Sequence, residues 1–171
     1  SIRTAEQATA LEPTSLTARL TLVRSLIAAR GGTQLARAER ELETLTTQYP
    51  QVAAVHVQAG SLALVKNDVS SARAHFEQAQ KLDPKSAEPV AGLIALAFKR
   101  GDNAGAKALI ERRLKDGSTA DLQVLAARTY IVLKDSASAE KALQAAIAQD
   151  PFHLQAYGML GQLHLSQDKL D

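Results

Sequence analysis

Four histidines, His56, His75, His153 and His164, are the side chains of this sequence best suited to hold a metal or move a proton. A helical zinc pair needs two of them on one face in an HxxxH spacing, and no two are placed so. The carboxylates are scattered, with no pair that neighbouring helices would bring together for acid–base work. Gly31-Gly32 is not followed by the Gly-Lys-Ser/Thr of a phosphate loop, and no Gly-x-Ser-x-Gly elbow occurs. Cysteine is absent, which removes thiolate ligands, disulfides and a thiol nucleophile. The expectation is a chain that is not an enzyme and carries no cofactor and no metal.

Its composition narrows the partner. Of 171 residues, 46% are apolar and 22% charged, with a net charge of +2 and no block of Lys and Arg. Nucleic-acid binding rests on clustered cations that neutralise phosphates, so nucleic acid is not expected. The longest apolar run, Val90–Phe98, falls far short of the about 20 residues that span a bilayer, so no membrane insertion is expected. Aromatics are only 4%, so the core must be built from Ala and Leu, which suits close-packed helices better than a sheet.

The elements that would position any site keep a beat. Residues 6–13, EQATALEP, return as EQAQKLDP at 77–84. Ala38, Ala72, Ala106 and Ala139 are spaced 34, 34 and 33 apart, each followed four residues later by Leu42, Phe76, Ile110 or Leu143. A second register, Val23, Gly60, Ile94, Ala127 and Gly161, runs at 37, 34, 33 and 34. Within each beat, apolar residues recur at three- and four-residue spacing, the mark of two amphipathic helices. Asn67-Asp68, Gly101-Asp102 and Lys134-Asp135 make the turns inside the pairs, with each aspartate placed to cap the next helix. Pro13, Pro50, Pro84 and Pro151 stand after the second helix, where a missing N–H costs little.

On these residues the chain resembles the tetratricopeptide repeat family, a 34-residue helix–turn–helix unit. Residues 53–86 carry Gly60, Ala72, Phe76, Ala79 and Pro84 at the family positions, and residues 120–152 carry Ala127, Tyr130, Ala139, Ala146 and Pro151. Residues 87–119 depart, with Ile94 where a small residue is usual and Arg113 where Ala is usual. The resemblance implies an all-α, right-handed α-solenoid (superhelix) of about ten helices in antiparallel pairs. The expected organisation is one repeat domain over 1–171: 1–13 a second helix, 14–52 a repeat with a lengthened turn at Gly31–Gln34, then repeats 53–86, 87–119 and 120–152, and 153–171 a first helix. Neither Ser1–Leu11 nor Leu154–Gln167 has a polar cap, so an excerpt of a longer array is expected, with self-association through the truncated ends. His56 and His164 fall where the family often has an aromatic, which implies a packing role.

In the family the first helices line a concave groove that binds peptides or protein segments. By resemblance that groove would present Arg24, Val57, Gln58, Ser61, Ala91, Ala95, Phe98, Val124, Arg128 and Gln162. The stripe Ile27, Leu64, Phe98, Ile131 and Leu165 is expected either to pack against the neighbouring helix or to meet an amphipathic ligand helix. The implied function is a protein–protein interaction scaffold. The alternatives are a docking or regulatory arm of a larger enzyme or of a secretion or export assembly, and an RNA-binding helical repeat. The Ala-rich, Cys-free composition is similar to that of bacterial repeat proteins, which leaves the cytoplasm and the cell envelope (periplasm) both open.

Overall fold

The computed structural model describes residues 1–166 and contains, among them, ten α-helices and no strand. They are α1 (Ile2–Leu11), α2 (Leu16–Ala29), α3 (Gly32–Gln48), α4 (Ala53–Val65), α5 (Val69–Leu82), α6 (Glu88–Lys99), α7 (Asn103–Asp116), α8 (Ala120–Val132), α9 (Ser136–Gln149) and α10 (Leu154–Leu165). Gln167, the expected end of the last helix, lies outside the described residues. The chain, expected as one repeat domain, divides at Pro84–Lys85 into two compact units. The first holds α1 to α5 around Val23, Leu26, Leu42, Leu45 and Val55; the second holds α6 to α10 around Ile94, Ile110, Leu122 and Leu143.

Each hairpin is made the same way. The first helix ends on a left-handed residue, Arg30, Asn67, Gly101 or Lys134, with φ between 55° and 72°. This conformation turns the chain sharply, and the next residue begins the second helix. In three of the four that residue is an aspartate whose Oδ1 accepts a backbone N–H of the opening turn: Asp68 from Ser71 at 3.0 Å, Asp102 from Gly105 at 2.8 Å, and Asp135 from Ser138 at 3.1 Å. The Ser71 and Ser138 hydroxyls donate to the remaining oxygens of Asp68 and Asp135. These bonds favour the ionised carboxyl and hold both aspartates below the ordinary carboxylate range, the backbone bond being the first cause.

The expectation of a lengthened turn at Gly31–Gln34 fails. Only Arg30 and Gly31 separate α2 from α3, and Gly32, Thr33 and Gln34 form the opening turn of α3. That helix is 17 residues long where α5, α7 and α9 each have 14, so the three extra residues lengthen the helix. The physical reason is that the first N–H groups of a helix have no intrahelical partner and are met here by solvent, since Gly32 and Thr33 are exposed, so Gly and Thr cost little in that turn.

The four repeated alanines are fully buried, with Leu42, Phe76, Ile110 and Leu143 against the same interfaces at 4% exposure or less. What faces them in the first helix decides how closely a pair packs. Pairs α4/α5 and α8/α9, with Gly60 and Ala127 at the crossing, meet more extensively than α2/α3 and α6/α7, with Val23 and Ile94 there. A branched Cβ at the crossing holds the two backbones apart.

Candidate functional site

The first helices carry every residue expected to meet a ligand, but the structure sorts them. In the first unit Arg24 on α2 is exposed, Ser61 on α4 is half-buried, and Val57 and Gln58 on α4 are buried. In the second unit Ala91, Ala95 and Phe98 on α6 are half-buried, Arg128 on α8 and Gln162 on α10 are exposed, and Val124 on α8 is buried. The side chains of Val57 and Val124 therefore shape the packing beneath the face instead of standing on it. A periodic pattern gives a residue's direction from its own helix, and what else covers it depends on neighbouring helices.

Gln58 is the exception that carries chemistry. It is 5% exposed, and its side-chain amide has no hydrogen-bond partner among the described residues. The other buried polar side chain among the described residues, Thr129, is satisfied by donating to the Leu125 carbonyl at 2.9 Å. An amide out of water with neither donors nor acceptor engaged is costly, and such groups are usually completed by water or by a ligand.

The apolar stripe grades from buried to exposed. Ile27 is 8% exposed, Leu64 and Phe98 are intermediate, and Ile131 and Leu165 reach 40% and 58%. Val132, Leu154 and Tyr157 add further exposed apolar area on α8 and α10. Sequence periodicity placed Ile131 and Leu165 in the stripe, but Val132 belongs to no register and was missed.

A different face of α4 meets the second helices. Ala59, Leu62, Ala63 and Lys66 stand roughly opposite Val57, Gln58 and Ser61 at about 100° per residue. There α3, α4 and α5 enclose a cleft of about 230 Å³. Beside it two histidines 19 residues apart in sequence come together, His56 Nδ1 lying 3.2 Å from His75 Nδ1. His56 Nε2 also lies 2.9 Å from the Pro50 carbonyl oxygen, which only accepts, so that nitrogen bears the proton. With both rings neutral, His56 Nδ1 is then the acceptor and His75 Nδ1 the donor. Burial first, and the charge of His56 second, push the His75 imidazole below its ordinary value. No group of three or more metal-ligating side chains occurs among the described residues. The expected packing role suits His56, whose ring tilts against that of His75 at a centroid distance of 5.5 Å. His164 lies instead beside Glu140, with Nε2 at 3.3 Å from Oε1.

Comparison with known proteins agrees with this architecture. Two sequence models of the tetratricopeptide repeat match, one over residues 63–129 and the other over 24–87 and 124–171. Among solved structures, a thermophilic tetratricopeptide repeat (TPR) protein of Thermus thermophilus superposes with a TM-score of 0.72 at 16% identity, over 96% of this chain and 89% of that one. YrrB, described as a TPR protein with an unusual peptide-binding site, gives 0.53 at 15% identity, over 100% of this chain and 87% of that one. These likenesses are of fold, that of an all-α repeat solenoid. A curated relative, the probable biofilm formation methyltransferase WspC of Pseudomonas putida, is 34% identical over 91 residues, which is 53% of this chain and 21% of that protein. The match thus spans about a fifth of the relative's length.

Proposed function

Because the chain belongs to the tetratricopeptide repeat family, we propose that it is a non-enzymatic scaffold whose first helices hold a segment of another protein. The observation that carries the reading is where apolar surface is left in water. Of seven exposed large apolar side chains among the described residues, five (Ile131, Val132, Leu154, Tyr157 and Leu165) stand on the first helices α8 and α10. The second helices α3, α5, α7 and α9 have none, while α1, expected as a second helix, carries Leu11 at its last residue. Covering such surface returns roughly 25 cal/mol per Å², so an apolar protein segment is the occupant these helices favour. Half-buried Ala91 and Ala95 on α6 leave room for a backbone to approach, and Arg128 supplies a charge for an acidic group. The buried amide of Gln58 gives the first unit a polar anchor of matching chemistry, since a peptide bond offers one donor and one acceptor. Nucleic acid fits poorly, because these helices present few cations.

The test is selection of binding peptides from a random displayed library, followed by affinity measurement against variants. Ile131→Glu and Phe98→Ala should each weaken the selected peptides at least tenfold, while Glu77→Gln on α5 leaves them unchanged. Peptides indifferent to both first-helix changes would refute the reading, as would tight RNA binding at physiological salt.

A second reading, a docking arm of a larger enzyme, is favoured by the relative named as a probable methyltransferase, of which the similar stretch is only a part. Immunoprecipitation from the source cells distinguishes the two. Peptide mapping of the captured polypeptide reads what is joined to the repeats: an enzyme domain supports the docking arm, and repeats alone refute it.

A further inference from the structure

The cleft between α3 and α5 belongs to the first unit alone and uses the face of α4 opposite the one discussed above. We propose that it receives the side chain of an arginine presented by a partner protein. Its volume, about 230 Å³, equals the liquid share of roughly eight waters at about 30 Å³ each. Ligand pockets run from about 300 Å³ upwards, so the cleft suits one long side chain better than a cofactor. Its floor is apolar, made by Leu42, Ala59 and Leu62. That floor suits the methylene stem of a long side chain and offers nothing to a small polar solute.

The groups around the floor are acceptors. Glu39, Glu43 and Asp68 line the cleft against a single cation, Lys66, in a chain whose overall balance is positive. Lys66 is already engaged by Glu39, whereas the Glu43 carboxylate has no partner among the described residues. The Thr46 hydroxyl spends its proton on the Leu42 carbonyl at 2.8 Å and keeps its lone pairs. His75 contributes a further acceptor: Nδ1 holds its proton toward His56, so Nε2 is left with a lone pair. Lys66 keeps two further ammonium hydrogens, but the spare acceptors outnumber them, which favours a ligand rich in donors. Arginine brings five N–H groups in a fixed planar fork, and its head gives up water more readily than an ammonium does. The acceptors Glu43, Thr46 and His75, spread over α3 and α5, suit a ligand with several donors better than a point charge.

The experiment is a titration of the ¹⁵N-labelled chain with acetyl-Ala-Arg-Ala-amide, followed by amide shifts, beside the same peptide with citrulline in place of arginine. Citrulline keeps the shape and removes the charge. The arginine peptide should move the amides of Glu43, Thr46, Ala63 and Ser71 along saturable curves, and the citrulline peptide should not. Glu43→Gln, an isosteric change at an exposed position, should weaken the arginine peptide about five- to tenfold, the scale of one charge-assisted bond. Glu77→Gln should leave it unchanged. Equal shifts from both peptides, an affinity indifferent to Glu43→Gln, or shifts spread over all acidic surfaces would overturn the proposal. The comparison of the two peptides uses the unmodified chain, so it does not depend on any variant folding.

Discussion

The ring of Phe76 lies against the α-carbon of Gly60 so closely that a β-carbon built there would stand 2.7 Å from Cε1 and 2.8 Å from Cδ1. Phe76 is 2% exposed and comes from the second helix of the same hairpin. The helix gains nothing from this glycine, which lowers its intrinsic propensity. It is there because the ring needs the space.

Gly60→Ala should therefore destabilise the chain although alanine is the better helix former. Overpacking typically costs about 1–3 kcal/mol, against a propensity gain of about 1 kcal/mol. Urea denaturation reads the difference, and Phe76→Leu in the same background should recover part of it by freeing the space. A Gly60→Ala chain more stable than the parent would show that the ring moves aside freely.

The left-handed turn residues give an opposite pair of outcomes. Lys134 adopts φ of 59° and Gly101 adopts 72° at equivalent points of their hairpins. A left-handed conformation costs a residue with a β-carbon about 1–2 kcal/mol, while glycine loses about 0.5–1 kcal/mol of additional chain entropy on folding. Lys134→Gly should raise stability by about 0.5–1 kcal/mol and Gly101→Ala should lower it by a similar amount. Thermal unfolding of both variants checks the sign, and a loss on Lys134→Gly would mean that its side chain stabilises the turn.

Gln58→Leu should stabilise the free protein, by about 1 kcal/mol, because it removes an amide that is buried without a partner and keeps most of the volume. The same change should weaken any protein segment that uses Gln58 as an anchor. Stability and affinity moving in opposite directions is the expected result. Destabilisation would indicate that an ordered water completes the amide.

Stability should fall as the pH drops below about 6.5, the ordinary histidine value. His75 is held below that value in the folded chain, so the unfolded chain takes up the proton first and stability rises with pH across the window between the two. The groups around it are His56 and Lys66 from α4 and its end, Glu39 and Glu43 from α3, and Asp68 at the start of α5. His75→Gln, which can still donate to His56, should flatten the slope of unfolding free energy between pH 7 and pH 5. An unchanged slope would assign the effect to another group.

The sequence by itself determined the repeat, the helix pairs, the capping aspartates and the exclusion of a thiol or phosphate-loop site. All of these rest on contacts within about one helical turn or on a spacing that repeats, and both are written in the order of residues. Asp68 caps Ser71 three positions on, and Ala72 recurs as Ala106, whatever the rest of the chain does. Other outcomes depended on which helices meet and how closely. Three extra residues continued α3 as an opening turn that leaves Gly32 and Thr33 exposed. Val57, Gln58 and Val124 were covered by neighbours that their own periodicity does not encode, and His56 met His75 across a helix crossing. The cleft beside that pair exists only where three helices converge. Local interactions choose the elements; burial, which is shared among elements distant in sequence, chooses what each side chain is free to do.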